Sequence, residues 1–151
     1  MKILIVEDDL NKLNNLEKFI VKYFKTKNIE IIIQIKNSYQ SGLESILSDS
    51  FDLLLLDMSL PNFDTIEGND SGAPLSRGGE LILYEMDVMD INLKTIIVSM
   101  HDDFDGDSLE VIHNQYKEKF SKFYISYVFY NEIESNWENE LEKILDGVSN
   151  D

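Results

Sequence analysis

The sequence predicts an α/β fold, a doubly wound five-stranded parallel sheet covered by helices on both faces. Five short apolar segments recur along the 151 residues, and each is followed by a segment whose apolar residues recur at helical spacing. The apolar segments are nearly continuous, which is typical of strands that are covered on both faces of a parallel sheet. Right-handed crossovers between such strands give the doubly wound arrangement.

The first half of the sequence predicts three strands and two helices. Strands are expected over 2–6, 29–35 and 52–56, where aliphatic residues dominate. After the first strand, helical spacing links Leu13, Leu16, Ile20, Tyr23 and Phe24. Ser38 is a suitable N-cap for the second helix, whose apolar face includes Leu43, Ile46 and Leu47.

The second half begins with a predicted long loop at about 58–77. This stretch contains both prolines and is largely polar, and from residue 62 it lacks a hydrophobic period. A third helix is expected over 78–89, and strands are expected over 94–100 and 123–130. The order of elements is therefore strand and helix in alternation throughout.

Capping signals mark the last two predicted helices. Asp107 and Glu110 have the spacing of a capping box ahead of the fourth helix. Ser135 and Glu138 repeat that spacing ahead of the fifth helix, for which Gly147 is the expected stop.

Composition predicts a single domain over 1–151, with no output domain attached, in the cytoplasm. The chain has no cysteine, so it has no disulfide framework and no thiolate metal site. No stretch reaches the roughly 18 apolar residues of a membrane span, and the N-terminus turns acidic too early for a signal peptide. The net charge of −16 disfavours nucleic acid and fits a soluble protein or a partner with a basic patch.

Acidic side chains follow two of the predicted strands. Glu7 and Asp8 end the first strand, and Asp57 ends the run of four leucines in "FDLLLLDMSLP". Ligands bind at the carboxyl ends of the strands in such sheets, so these carboxylates should converge if the two strands are neighbours. Three oxygen ligands suit Mg²⁺, and a metal-neutralised Asp57 could attack a phosphoryl group while Ser99 hydrogen-bonds one of its oxygens.

The segments "KILIVEDD", "DLLLLDMSLP" and "TIIVSM" together resemble the receiver domain of two-component response regulators, in order and over almost the whole chain. The resemblance implies the flavodoxin-like (βα)5 receiver fold and makes Asp57 the phosphoacceptor. It also implies Mg²⁺ ligands at Glu7, Asp8, Asp57 and the backbone carbonyl of Ser59. Further implied roles are the third acid at Asp9, the switch hydroxyl at Ser99 and the switch aromatic at Tyr127.

The resemblance also implies how the protein would act. A phosphoryl group would pass from a phosphohistidine of a histidine kinase or phosphotransfer protein to Asp57, and the product would signal by binding a downstream protein. No enzyme activity is expected beyond the protein's own phosphorylation, which could also use a small phosphodonor. The sequence leaves the downstream partner and a homodimer open.

The sequence departs from the family at the end of the fifth strand. Tyr130 stands at the position of the family's lysine and Asn131 at that of the following proline, while Lys122 lies at the opposite end of this strand. Met100 replaces the small residue that usually follows the switch hydroxyl. The loop after Asp57 and the segment between Ser99 and Tyr130 are both longer than usual.

Tyr130 and Met100 support a pseudo-receiver, which binds partners without phosphate, as the alternative function. A phosphatase-type hydrolase or a metal-dependent nuclease ranks last, because Ser59 stands where either would need a second acid. A calcium loop over 101–112 is rejected, because Ile112 occupies the position of the required bidentate glutamate.

Overall fold

A computed structural model describes residues 1–64, 74–133 and 136–149 of the chain. The strands of the main sheet are β1 (Lys2–Val6), β2 (Ile32–Lys36), β3 (Leu53–Leu56), β4 (Thr95–Ser99) and β5 (Tyr124–Phe129). The helices are α1 (Leu10–Thr26), α2 (Tyr39–Ser48), α3 (Gly78–Val88), α4 (Leu109–Lys119) and α5 (Trp137–Ser149). All strand pairs are parallel and the spatial order is β2-β1-β3-β4-β5, which confirms the predicted fold.

The four leucines of β3 serve two hydrophobic cores, one on each face of the sheet. Leu53 and Leu55 pack into the core that α1 and α5 cover. Leu54 and Leu56 pack into the core that α2, α3 and α4 cover. Because successive side chains of a strand point to opposite faces, a continuous apolar run is the composition that a doubly covered strand requires.

The carboxyl ends of β1 and β3 lie side by side. Val6 pairs with Leu56 in the ladder, and the backbone N–H of Asp57 donates to the Val6 carbonyl at 3.1 Å. Strand order reverses beside β1, which is flanked by β2 on one side and β3 on the other. The first acids of the sequence and Asp57 therefore emerge at the edge where ligands bind in open α/β sheets.

The predicted loop at about 58–77 contains paired structure at both of its ends. Leu60–Pro61 forms a short antiparallel ladder with Pro74–Leu75. The prediction of a loop was therefore wrong for these residues, and its central part, 65–73, lies outside the described residues.

The N-cap of α4 differs from the prediction. Ser108, and not Asp107, caps the helix, because the Ser108 hydroxyl accepts a hydrogen bond from the Val111 backbone at 3.2 Å. Asp107 belongs instead to a small hairpin in which Asp103–Phe104 pairs with Asp107–Ser108. The turn between these strands has φ of 55° at Asp105 and 91° at Gly106, which is the left-handed backbone that an Asp-Gly hairpin turn adopts.

The other capping predictions have mixed outcomes. Ser38 caps α2 as predicted, accepting from the Ser41 backbone at 3.1 Å. Gly147 lies inside α5 and does not end it, so the predicted stop was wrong. Ser135 lies outside the described residues. Among the residues that the structure describes, no helix has the length and apolar character needed to cross a membrane.

Candidate functional site

Three carboxylates converge at the ends of β1 and β3. One oxygen each from Glu7, Asp8 and Asp57 lies within 4.8 Å of the other two. In the described ranges, this is the one group of three or more His, Cys, Asp or Glu side chains with such spacing. The convergence predicted from the strand ends is confirmed, while metal binding itself stays a prediction.

The start of α1 is built around these acids. Glu7 is 1% exposed, and its Oε2 accepts hydrogen bonds from the backbone N–H groups of Asp8 and Asp9, each at 3.0 Å. The Asp9 side chain is the N-cap of α1 and accepts from the Lys12 backbone at 2.9 Å. Asp9 therefore begins the helix, as its position in the sequence predicted.

A lysine from α1 pairs with two of the three acids, Glu7 and Asp57. The Lys12 side chain is fully buried, and its Nζ lies 3.2 Å from Asp57 Oδ1 and forms an ion pair with Glu7 Oε1. The same ammonium donates to the Val98 carbonyl of β4 at 2.5 Å. Three acceptors therefore surround a group that has three N–H donors.

Burial is the main electrostatic influence on the acids. Desolvation raises the pKa of Glu7 and the pKa of Asp57, and the neighbouring Asp57 charge raises the pKa of Glu7 further. The Lys12 ammonium opposes both shifts but does not cancel them. Desolvation and the charge of Glu7 also raise the pKa of Asp8. The site therefore holds more negative charge than Lys12 alone can offset.

Asp8, Asp9 and Asp57 line an open cavity of about 600 Å³, which gives a ligand access to Asp57. Met100 and His101 form one part of its wall, and Ser59 forms another. Convergent carboxylate oxygens, excess negative charge and an open approach together fit a hard divalent cation such as Mg²⁺.

The backbone that follows Asp57 is held by the first turn of α3. The Gly79 N–H donates to the Met58 carbonyl at 2.9 Å. A Cβ at position 79 would lie 2.3 Å from the Asp57 carbonyl oxygen and 3.0 Å from Met58 Cα. Glycine is therefore required for this close approach, and the start of α3 fixes the backbone that carries Asp57.

The predicted switch residues are engaged locally in this structure. Ser99 is the last residue of β4 and is fully buried; its hydroxyl donates to the His101 carbonyl at 2.9 Å and accepts from the His101 N–H at 3.0 Å. Tyr127 is half-buried on β5, with its ring centroid 4.9 Å from that of His113.

Tyr130, at the position of the family's lysine, forms hydrogen bonds away from the acids. Its hydroxyl donates to Glu132 at 2.9 Å and accepts from the Asn15 amide at 2.8 Å. Lys122 forms an exposed ion pair with Asp90 at 3.6 Å. Among the described ion pairs, the contacts to Glu7 and Asp57 come from α1 and none comes from β5.

Sequence reasoning missed Lys12, although a signal was present. Lys12 stands four residues before Leu16 and eight before Ile20, so it lies on the apolar stripe of α1. A lysine on a buried stripe needs an acidic partner, because an unpaired ammonium is costly to bury. The resemblance to the receiver family implies a cation on the fifth strand and none on the first helix.

The fold and the acidic edge define the class: the chain belongs to the response-regulator family and folds as a receiver domain. It is 30% identical over 105 residues to the Detocs response regulatory protein DtcB of Enterobacter cloacae, covering 69% of this chain and 68% of DtcB. It is also 25% identical over 146 residues to the uncharacterized protein y4jR of Sinorhizobium fredii, covering 93% and 94% of the two chains. No family model matches the sequence.

Solved receiver domains share the fold at low sequence identity. The response regulatory domain of protein mrkE from Klebsiella pneumoniae superposes with a TM-score of 0.66 at 14% identity, covering 99% of this chain and 96% of that one. The receiver domain of sensor histidine kinase PA1611 from Pseudomonas aeruginosa has a TM-score of 0.59 at 14% identity, covering 97% and 94%. That structure contains a magnesium ion coordinated in its active-site cleft.

Proposed function

We propose that this receiver domain accepts a phosphoryl group on Asp57 and signals by binding a partner protein. The observation that carries the proposal is the convergence of Glu7, Asp8 and Asp57 within 4.8 Å beside an open cavity. The donor is a phosphohistidine of a histidine kinase or phosphotransfer protein, as for receivers in general. The net charge of −16 favours partners that present a basic surface.

Mg²⁺ is the proposed cofactor. Glu7, Asp8, Asp57 and the backbone carbonyl of Ser59 would hold it, and its known place in the active-site cleft of the Pseudomonas aeruginosa receiver supports this choice. When bound, the ion offsets negative charge on the transferring phosphoryl oxygens. Three ionised carboxylates and one lysine ammonium leave two net negative charges, which the two positive charges of Mg²⁺ would balance.

Phosphorylation is a direct transfer to the Asp57 side chain. A carboxylate oxygen of Asp57 forms a bond to phosphorus while the bond between phosphorus and the imidazole nitrogen of the donor breaks. The electron pair of the broken bond stays on that nitrogen, and the product is an acyl phosphate. We propose that the Ser99 hydroxyl then leaves its turn with His101 to donate to a phosphoryl oxygen, and that Tyr127 moves with it.

Intact-mass measurement tests this function. The purified protein is incubated with phosphoramidate and Mg²⁺, and the expected result is a gain of one phosphoryl group. Asp57→Asn should abolish the gain, whereas Asp87→Asn, an exposed acid on α3, should retain it. A wild-type protein that gains no mass under these conditions would contradict the proposal and favour the pseudo-receiver, which binds partners without phosphate.

A further inference from the structure

The family's lysine has no counterpart on the fifth strand of this protein. Tyr130 occupies its position and is committed to Asn15 and Glu132, and Lys122 pairs with Asp90 at a distance from the acids. A phosphoryl group on Asp57 would add negative charge to a site that already holds three acids. A cation from another element is therefore needed if the phosphoryl oxygens are to be neutralised by more than the metal.

Lys12 has the position and the environment for this role. Its ammonium lies 3.2 Å from Asp57 Oδ1, so it is already next to the atom group that would receive phosphorus. Its placement in the first turn of a helix is unfavourable with respect to the helix dipole, and full burial adds a desolvation cost. The anions at the sheet edge are the feature that compensates for both costs.

We propose that Lys12 replaces the strand-five lysine of the family, so that α1 supplies the cation that pairs with the phosphoryl oxygens on Asp57. The inference rests on the proposed function. Lys12 would exchange its contacts with the Asp57 and Glu7 carboxylates for contacts with the new phosphoryl oxygens, while the transfer itself remains the exchange of one nitrogen–phosphorus bond for one oxygen–phosphorus bond.

The two positions are close enough in the fold for an exchange of roles. Tyr130 packs in the core on the face of the sheet that α1 covers, in the same cluster as Leu13 and Leu16, which follow Lys12 along the helix. The Tyr130 backbone N–H donates to the Ser99 carbonyl at 2.7 Å, so the backbone of Tyr130 also lies at the carboxyl edge of the sheet. A lysine at position 130 would approach Asp57 from the face that Lys12 now uses.

The test compares Lys12→Met, Lys12→Met with Tyr130→Lys, and the control Lys22→Met, an exposed lysine on the same helix. Phosphorylation by phosphoramidate with Mg²⁺ is followed by intact mass, and the affinity for Mg²⁺ alone is measured by calorimetry. Lys12→Met should be phosphorylated at least about ten-fold more slowly, yet bind Mg²⁺ about ten-fold more tightly, because a unit positive charge is removed beside the cation. If Lys12 only supported the structure, its loss would lower both the phosphorylation rate and the affinity for Mg²⁺.

The double variant should recover phosphorylation, because it returns the ammonium from strand five. If Lys12→Met folds too poorly to be assayed, the double variant is compared directly with wild type. The assignment is overturned if Lys12→Met matches the Lys22→Met control, or if the folded double variant is not phosphorylated. In both cases the wild type is still phosphorylated and the proposed function stands, whereas an unreactive wild type overturns both.

Discussion

The two halves of the active edge differ in how their polar groups are satisfied. At the ends of β1 and β3, three carboxylates converge, and Lys12 pairs with two of them, Glu7 and Asp57. Burial raises the pKa of Glu7 and Asp57, and also that of the more exposed Asp8. At the ends of β4 and β5, Ser99 and Tyr130 have complete local hydrogen bonds and no ionic conflict.

The β1–β3 end of the sheet is therefore the charged end, and the β4–β5 end, whose polar groups are satisfied by hydrogen bonds, is the neutral end. The β1–β3 end retains unbalanced charge that a cation or a phosphoryl transfer can change, so ligands should act there first. The β4–β5 end can respond only by exchanging hydrogen bonds that it already makes. In a receiver whose fifth strand lacks a cation, we therefore expect metal effects to be large at the first end and small at the second.

Magnesium should give the largest effect, at the charged end. Because binding relieves repulsion among Glu7, Asp8 and Asp57, Mg²⁺ at about a hundred times its Kd should stabilise the fold by roughly 2.7 kcal/mol. The measurement is the melting temperature with and without Mg²⁺. Asp8→Asn should remove most of the shift, and Asp87→Asn should leave it intact. A wild-type melting curve that Mg²⁺ leaves unmoved would exclude the metal site.

A pair of glycine substitutions should separate the charged end from the rest of the fold. Gly79→Ala places a methyl 2.3 Å from the Asp57 carbonyl oxygen, so the backbone must shift, at a cost of about 1–3 kcal/mol. Gly147→Ala lies in α5 with nothing within 4 Å of the added Cβ and should stabilise by about 0.5–1 kcal/mol. Urea unfolding measures both changes.

The Mg²⁺-induced shift in melting temperature gives a second comparison between Gly79→Ala and Gly147→Ala. Because Gly79 fixes the backbone that carries Asp57, Gly79→Ala should also reduce the Mg²⁺-induced shift in melting temperature, whereas Gly147→Ala should not change it. Equal stability of the two variants would mean that the start of α3 tolerates displacement and does not position Asp57.

The sequence predicted most of the fold and the acidic half of the site because their signals are local or follow from topology. Continuous apolar runs specify doubly covered strands, and parallel pairing brings Glu7 and Asp57 to one edge. The position of Lys12 on the apolar stripe of α1 indicated a buried cation, but its pairing with Asp57 could not be predicted in this way, because that contact depends on how α1 packs. The Asp105–Gly106 dipeptide is a hairpin-turn signal from which the small hairpin over 103–108 could have been predicted.

The smallest loss of stability is expected at the neutral β4–β5 end. Tyr130→Phe removes hydrogen bonds to Asn15 and Glu132 but preserves the ring, which packs 5.0 Å from the Trp137 ring. Since both partners are near solvent and can bond to water, the loss should be about 1 kcal/mol in urea unfolding, followed by Trp137 fluorescence. The Mg²⁺-induced shift in melting temperature should be the same as in wild type, because the phenol makes no hydrogen bond to Glu7, Asp8 or Asp57. A reduced Mg²⁺ response in Tyr130→Phe would show that the fifth strand contributes to the charged site after all, and the contrast between the two ends would then fail.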